Sequence, residues 1–114
     1  MIFVVAAGNG GSDGIGDNND VTPTYPAAYP EVTAVTAVDR TGTIAEYANR
    51  GSFVAAGGPG TVPITFNALT YIITGTSAST AYASGMAAGL AESTGRSLTT
   101  IEKTLPTLLP VKKP

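Results

Sequence analysis

The feature that most constrains the fold of this chain is a continuous apolar run over residues 2–7, followed at once by Gly-Asn-Gly-Gly at residues 8–11. A run without a polar face is typical of a strand buried on both sides in a parallel sheet. Because the run opens the sequence, with no earlier segment to pair with it or cover it, we expect a partial domain.

Further segments have the composition of strands and are separated by turns. Residues 32–38 are rich in β-branched side chains and predict a strand. Residues 52–56 predict a second short strand, and the Gly-Gly-Pro-Gly segment at residues 57–60 predicts a loop. Residues 62–73 predict a hairpin, although the two residues at its turn are not one of the preferred glycine-containing pairs.

Two helices are predicted after these strands. The first runs from Ser77 to about Leu90, because small and apolar residues recur every four positions on two stripes. A helix that is apolar or small nearly all round is expected to be buried. The two stripes are Ala78, Tyr82, Met86 and Leu90, and Ala81, Gly85 and Gly89. The second helix begins near Thr99, where Glu102 completes a capping-box pattern, and Pro106 is expected to end it.

The composition excludes several classes of protein. Only 12% of the residues are charged, about half the usual share of roughly 25%, so we expect much of the surface to be covered. The net charge of −2 argues against nucleic acid as a partner, and no apolar stretch approaches the ~20 residues of a membrane span. Because cysteine and histidine are absent, disulfides, thiolate metal sites and a histidine base within the sequence are excluded. We expect no cofactor.

Ser77 and Asn9 are the candidate catalytic residues. Ser77 follows Gly-Thr at the start of the first helix, where free backbone N–H groups and the positive end of the helix dipole favour an oxyanion. Asn9 follows the buried strand at the carboxyl edge of the sheet, where open α/β sheets bind ligands. Each residue also has a simpler interpretation, Ser77 as a helix N-cap and Asn9 as a left-handed turn residue.

An acidic loop is a candidate metal site by composition. Asp13, Asp17 and Asp20 lie close together among glycine and asparagine residues. Carboxylate and amide oxygens suit calcium, but the spacing fits no EF-hand loop, and a solvated turn explains the same residues. We therefore assign no metal ligand.

Three segments, at residues 4–10, 25–39 and 75–80, together resemble the subtilisin-like serine peptidases, or subtilases. They read Val-Val-Ala-Ala-Gly-Asn-Gly, Tyr-Pro-Ala-Ala-Tyr-Pro-Glu-Val-Thr-Ala-Val-Thr-Ala-Val-Asp and Gly-Thr-Ser-Ala-Ser-Thr, in the order of the family. The resemblance implies a three-layer α/β fold with a mainly parallel sheet between flanking helices. It assigns residues 1–105 to the C-terminal half of the peptidase domain and residues 106–114 to a tail.

The resemblance also implies the roles of individual residues. Ser77 is expected to be the nucleophile of a serine endopeptidase that works through an acyl-enzyme, and Asn9 the side-chain donor of its oxyanion hole. Ala6, Ala7 and Gly8 are expected to line the pocket for the substrate residue before the scissile bond. The substrate is a peptide or an ester, and secretion is implied by the family alone.

The sequence also departs from the family pattern. The Asp and His of the triad precede the Ala-Ala-Gly-Asn strand in the family, so both are expected outside this chain. Ala81 and Tyr82 replace the usual Pro-His after the nucleophile, which is expected to alter packing beneath it. Some family members bind a cation, but residues 52–56 hold no carboxylate to complete that site here. The carbonyls that match the rest of it belong to Ala27, Tyr29 and Val32.

Three alternatives stay open. A fragment without the other triad residues can retain weak esterase activity from its oxyanion hole. A sedolisin-like peptidase, which has a Gly-Thr-Ser nucleophile and carboxylates in place of histidine, is a lesser variant. The third is a non-catalytic, self-associating module, because half a parallel sheet exposes an open edge and an apolar face. As partners we expect further copies of the chain in a homo-oligomer, or the missing N-terminal half.

Overall fold

Five strands and two helices follow one another along residues 1–113, which are the residues that the computed structural model describes. The strands are β1 (Val4–Ala6), β2 (Thr33–Val38), β3 (Val54–Pro59), β4 (Thr61–Phe66) and β5 (Leu69–Thr74). The helices are α1 (Thr76–Ser93) and α2 (Leu98–Leu108). Each predicted strand and helix is present, with boundaries that differ by a few residues. Within this range, no helix is long and apolar enough to cross a membrane.

The first three strands form a parallel sheet in the order β1-β2-β3. β2 lies in the middle, and five of its six residues are buried, as is typical of a strand that is covered on both faces. β1 is only half-buried, because it lies at an edge of this sheet and has a paired strand on one side. The predicted α/β class with a parallel sheet is confirmed, whereas the burial predicted for the first strand is met only in part.

β3 continues through Gly57, Gly58 and Pro59, so the prediction of a loop there is wrong. The glycines allow a close approach, since a Cβ on Gly58 would lie 2.7 Å from the carbonyl oxygen of Ser79 in α1. Without a side chain at this point, the first turn of α1 lies directly on the strand. The contact therefore fixes where α1 begins relative to the sheet.

α1 and α2 pack together on the sheet and enclose the core. The buried core residues are Val35, Ala56, Ala83, Ile101, Leu105 and Leu109. α2 runs through Pro106, so the prediction that this proline ends the helix is wrong. Proline removes one backbone hydrogen bond, but Leu105 is fully buried and its carbonyl still accepts from the Leu109 N–H at 2.8 Å. Burial of these two leucines outweighs the lost bond.

The turn that follows β2 is organised by one carboxylate. Asp39 Oδ1 accepts hydrogen bonds from the Thr41 hydroxyl at 2.7 Å, the Thr41 N–H at 2.8 Å and the Thr43 N–H at 3.1 Å. These bonds, first the one from the Thr41 hydroxyl, hold the pKa of Asp39 below its usual value. The same turn holds the segment after α2, because the Lys112 N–H donates to the Gly42 carbonyl at 2.8 Å.

α1 is buried on one side only. Its buried residues are Thr76, Ala78, Ser79 and Ala83. The stripe of small residues at Ala81, Gly85 and Gly89 is exposed, and a Cβ on either glycine would meet nothing within 4 Å. The prediction that the helix is buried nearly all round is therefore wrong for this stripe, which no element within residues 1–113 covers.

β4 and β5 form the predicted antiparallel hairpin, separate from the parallel sheet. Its turn residues Asn67 and Ala68 have φ angles of 48° and 62°, and positive φ at both positions matches the twist of a two-residue hairpin turn. The hairpin carries large apolar side chains in solvent, with Phe66 64% and Ile72 69% exposed. It leads directly into α1 and therefore into Ser77.

Candidate active site

The turn that carries Asn9 lies at the carboxyl end of β1. Ala7 extends the pairing with β2, since its N–H donates to a carbonyl of that strand at 2.8 Å. The chain then turns through Gly8 and Gly10, whose φ angles of 109° and 31° favour glycine. A Cβ on Gly10 would lie 2.0 Å from the Ile15 carbonyl oxygen, so a side chain does not fit there. Asn9 is thereby presented, exposed, at the carboxyl edge of the sheet.

The side chain of Asn9 is oriented by Thr76, the first residue of α1. Asn9 Oδ1 accepts two hydrogen bonds, one from the Thr76 N–H at 2.7 Å and one from the Thr76 hydroxyl at 2.8 Å. Nδ2 therefore points away from Thr76, and it lies 3.4 Å from the position that a Cβ would take on Gly75. Among residues 1–113, Asn9 Nδ2 donates to no partner, so its N–H groups are available to a ligand.

Ser77 is the second residue of α1, and Gly75 is the N-cap. The Ser77 hydroxyl is therefore not the cap, and it forms no hydrogen bond with any described residue. The side chain is exposed. Its backbone N–H belongs to the first turn of the helix, whose N–H groups have no partner within the helix. Gly75 has a φ of 150°, which favours glycine at the point where the chain enters the helix.

The electrostatic environment of this helix end favours negative charge. The first turn of α1 carries no acidic residue, so the positive end of the helix dipole is not neutralised. No charged residue lies anywhere between Arg50 and Glu92 in the sequence. The Ser77 N–H and Asn9 Nδ2 are thus uncharged donors beside an exposed hydroxyl, an arrangement that can stabilise the oxyanion formed when a serine attacks a carbonyl.

The three residues predicted to line the substrate pocket lie directly before Asn9. Ala7 is fully buried, so a substrate can reach only Ala6 and Gly8, which are half-buried. The Gly8 N–H donates to the Thr76 hydroxyl at 3.2 Å, which ties this segment to the start of α1. Whether these residues bind substrate remains a prediction.

Two residues that organise the site, Thr76 and Asn49, were not identified as such from the sequence. Thr76 is fully buried and bonds both Gly8 and Asn9. Its only sequence signal is its place inside Gly-Thr-Ser. Asn49 lies between β2 and β3 and bonds the backbone on both sides of Asn9. No local pattern marks Asn49, because its partners are distant in the sequence.

Two carboxylates of the acidic loop accept hydrogen bonds from other residues of the chain. Asp13 accepts a hydrogen bond from the Ile15 N–H at 3.0 Å, and Asp20 accepts from both the hydroxyl and the N–H of Ser52. The hydrogen bond from the Ser52 hydroxyl is the largest cause that lowers the pKa of Asp20. Residues 1–113 contain no cluster of three or more His, Cys, Asp or Glu side chains able to hold a metal ion. The carbonyls of Ala27, Tyr29 and Val32 gain no carboxylate partner from residues 52–56.

A cavity of about 770 Å³ lies beside the base of the hairpin, away from the candidate site. Its lining includes Tyr47, Gly60 and Tyr82, but neither Asn9 nor Ser77. The Tyr47 hydroxyl donates to the Gly60 carbonyl at 3.1 Å, and burial raises the pKa of this tyrosine. Tyr82, at the position where the family usually has histidine, is 47% exposed and faces this cavity instead of the core.

The fold and this site define an α/β protein with an exposed serine at the start of a helix and an asparagine amide beside that helix start. Residues 1–105 match the model of the subtilase family, peptidase S8, and the chain therefore belongs to that family. The resemblance predicted from the three sequence segments is confirmed.

Relatives and solved structures agree with this assignment. The chain is 40% identical over 93 residues to halolysin from Haloferax mediterranei, a match over 79% of this chain and 16% of halolysin. It is 37% identical over 90 residues to proteinase T from Parengyodontium album, over 77% of this chain and 28% of that protein. A cold-adapted subtilisin-like serine proteinase superposes with a TM-score of 0.67 at 26% identity, covering 81% of this chain and 32% of that structure. The prenylagaramide maturation protease PagA gives a TM-score of 0.60 at 28% identity, covering 82% and 34%. The matched region thus spans less than a third of the length of each of the two curated relatives.

Proposed function

We propose that this chain supplies the nucleophile and the oxyanion hole of a subtilisin-like serine endopeptidase. Ser77 is the nucleophile, and the Ser77 N–H and Asn9 Nδ2 are the oxyanion donors. The observation that carries the proposal is the pair of hydrogen bonds from Thr76 to Asn9 Oδ1, which leaves Nδ2 free beside the start of α1.

The chemistry proposed is acyl transfer. Ser77 Oγ attacks the carbonyl carbon of the scissile bond, and the negative charge that forms on the carbonyl oxygen is stabilised by hydrogen bonds from Asn9 Nδ2 and the Ser77 N–H. The tetrahedral intermediate then expels the amine and leaves an ester on Ser77, which water hydrolyses. Two proton transfers are needed, from Ser77 Oγ and to the leaving amine, and both require a general base that becomes a general acid.

The base is the part of the site that this sequence does not provide. The sequence contains no histidine, and the family places its histidine and aspartate before the segment that matches here. We propose that these residues belong to the N-terminal half of the domain. The chain alone is then a weak or inactive peptidase, although an oxyanion hole and binding alone can retain roughly 10³–10⁴-fold catalysis over water for reactive substrates such as activated esters. Secretion is proposed from family membership only.

The experiment is mass spectrometry of the full chain after exposure to a fluorophosphonate. A single adduct on Ser77 is expected, and Ser77→Ala should abolish it. Ser84→Ala is the matched control, because Ser84 is an exposed serine of the same helix whose hydroxyl bonds the Thr80 carbonyl at 2.8 Å. Labelling that survives Ser77→Ala contradicts the proposal, as does absence of labelling after the N-terminal half that carries the base has been added back.

The Asn9 donor is tested in the same assay. In subtilisin itself the loss of the asparagine donor costs about 10²–10³ in kcat, a measured value from that protein that sets the scale here. Asn9→Ala is expected to slow labelling of Ser77 by a factor of this order without changing the modified residue. An unchanged rate would exclude Asn9 as an oxyanion donor.

A second candidate function is that of a non-catalytic module that associates with itself. The exposed stripe of α1 and the apolar side chains of the hairpin favour it, since apolar surface of this kind is usually covered. Sedimentation at micromolar concentration distinguishes the cases. A dimer or larger species supports self-association, whereas a clean monomer excludes it and leaves the N-terminal half as the partner that we propose.

A further inference from the structure

Asn49 lies in the connection between β2 and β3, and its side chain is almost completely buried. Its Oδ1 accepts hydrogen bonds from the Gly10 N–H and the Asp17 N–H, both at 2.9 Å. Its Nδ2 donates to the Ala7 carbonyl at 3.2 Å, and its backbone N–H donates to the Gly8 carbonyl at 2.8 Å. Two of these four bonds therefore hold the residues on either side of Asn9, and a third holds Ala7, one residue further back.

Asn49 is itself held by the centre of the sheet. Its carbonyl accepts a hydrogen bond from the hydroxyl of Thr36 at 2.7 Å. Thr36 belongs to β2, the middle strand, and is fully buried. The turn around Asn9 is thus connected through Asn49 to the buried middle strand of the sheet.

Only an asparagine side chain satisfies this position. The turn requires an acceptor with two lone pairs for two N–H groups and a donor for one carbonyl, all at the end of a short side chain. Aspartate offers the acceptor but no donor when ionised, and an apolar residue offers neither. The fit is close, because a Cβ on Gly8 would lie 2.5 Å from Asn49 Nδ2.

We propose that Asn49 is a positioning residue of the oxyanion hole. Thr76 fixes the side chain of Asn9, and Asn49 fixes the backbone from which that side chain projects. The two together hold Asn9 Nδ2 at one place beside the Ser77 N–H. This inference rests on the proposed function, because it assigns to Asn49 an effect on the reactivity of Ser77.

The first measurement is independent of any activity. Hydrogen exchange of the backbone amides is followed in the full chain by NMR for wild type, Asn49→Ala and Asn19→Ala. Asn19 is the matched control, because it is equally buried but its side chain donates only to the Thr22 carbonyl, at 3.0 Å. Asn49→Ala is expected to raise the exchange rates of the Gly10 and Asp17 amides by about tenfold or more, because each amide loses the hydrogen bond that protects it. Asn19→Ala is expected to leave both exchange rates unchanged.

The second measurement separates positioning from a general loss of structure. The rate of fluorophosphonate labelling of Ser77 is measured over a range of reagent concentrations for wild type, Asn49→Ala, Asn9→Ala and the double variant. These rates give the maximal labelling rate constant, kinact, and the reagent concentration at half that rate, KI. Asn49→Ala is expected to lower kinact by roughly 10–100-fold, the effect of a small misplacement of a reacting group, with KI unchanged. Because Asn49 acts through Asn9, adding Asn49→Ala to Asn9→Ala should lower kinact no further. Asn49→Asp keeps the acceptor and should retain the exchange protection of the Gly10 amide.

The outcomes separate the two proposals. If wild type is not labelled even after the N-terminal half has been added back, the proposed function fails, while the exchange data still decide whether Asn49 fixes the turn. If the Gly10 and Asp17 amides keep their protection in Asn49→Ala, the positioning role is wrong. It is equally wrong if Asn49→Ala lowers kinact by the same factor whether or not Asn9 is present, because the effect then does not pass through Asn9.

Discussion

The hydroxyl of Thr76 is the group whose removal most directly tests how Asn9 is held. Thr76→Val keeps the shape of a fully buried side chain but removes a donor to Asn9 Oδ1 at 2.8 Å and an acceptor for the Gly8 N–H at 3.2 Å. Asn9 Oδ1 keeps its bond from the Thr76 N–H, but the Gly8 N–H loses its acceptor. One lost hydrogen bond contributes about 1 kcal/mol, and an unsatisfied partly buried N–H about 1 kcal/mol more. We therefore expect the free energy of unfolding to fall by about 2 kcal/mol.

Urea denaturation measures this loss, followed by circular dichroism and by tyrosine fluorescence. With an m-value of about 2 kcal/mol/M for a domain of this size, the midpoint should fall by about 1 M. Thr80→Val is the matched control, because the Thr80 hydroxyl only donates to the Thr76 carbonyl within the same helix, and its loss should cost under ~0.5 kcal/mol. Labelling of Ser77 should slow in Thr76→Val and not in Thr80→Val. Equal midpoints for the two variants would refute the view that Thr76 fastens the Asn9 turn to α1.

Three further predictions concern packing and charge. Gly58→Ala is expected to lower the free energy of unfolding by about 1–3 kcal/mol, because the added methyl group overlaps the first turn of α1. The control Gly85→Ala, on the open face of that helix, should be neutral or stabilising by up to ~1 kcal/mol. Equal losses of stability for the two variants in urea would contradict the contact between Gly58 and α1. Leu105→Ala should cost about 2–5 kcal/mol in the same assay, since the residue is fully buried beside Pro106, and a loss under ~1 kcal/mol would place it outside the core. Asp39→Asn should lower the thermal midpoint at neutral pH but not near pH 2. The pKa of Asp39 is lower in the folded state than its unfolded value of about 3.9, so the ionised carboxylate stabilises the fold above that pH, and the stabilisation is lost as pH falls through the folded-state pKa. A difference in midpoint between wild type and variant that does not change with pH would exclude the carboxylate as its cause.

The elements that the sequence predicted well are those set by local patterns. The apolar run at residues 2–7 and the β-branched segment at residues 32–38 became neighbouring parallel strands, because continuous apolar segments need cover on both faces. The two stripes after Ser77 predicted a helix that in the structure begins one residue earlier and ends about three residues later. The resemblance of three short segments was enough to predict the family, which residues 1–105 confirm.

The errors arose where distant contacts override a local preference. Gly57 and Gly58 indicate a turn when taken alone, but both lie in β3, where Gly58 allows α1 to approach the strand closely. Pro106 indicates a helix end, but burial of Leu105 carries α2 past it. Asn49 carries no local signal at all, because its partners lie up to 42 positions away.

The exposed face of α1 shows a different limit of sequence reasoning. A stripe of alanine and glycine predicts close packing, but the pattern does not contain the partner that packs there. In the structure this stripe is open, and the buried side of the helix is the one that meets the sheet. The periodicity of the sequence therefore predicted that both stripes of α1 pack against other elements. Only the tertiary structure shows which side of the helix packs against the sheet and which side is exposed.

The bonds between the Asn9 turn and the start of α1 have a consequence for how the molecule is made. Gly8 and Thr76 are 68 positions apart, and Asn9 and Thr76 are 67 apart. Contacts between such distant positions form late, since closing a long loop loses chain entropy before any contact compensates it. On the ribosome, the oxyanion donor emerges well before the helix that orients it has been synthesised. The proposed nucleophile and its donor therefore meet only after α1 has been synthesised and has packed against the Asn9 turn.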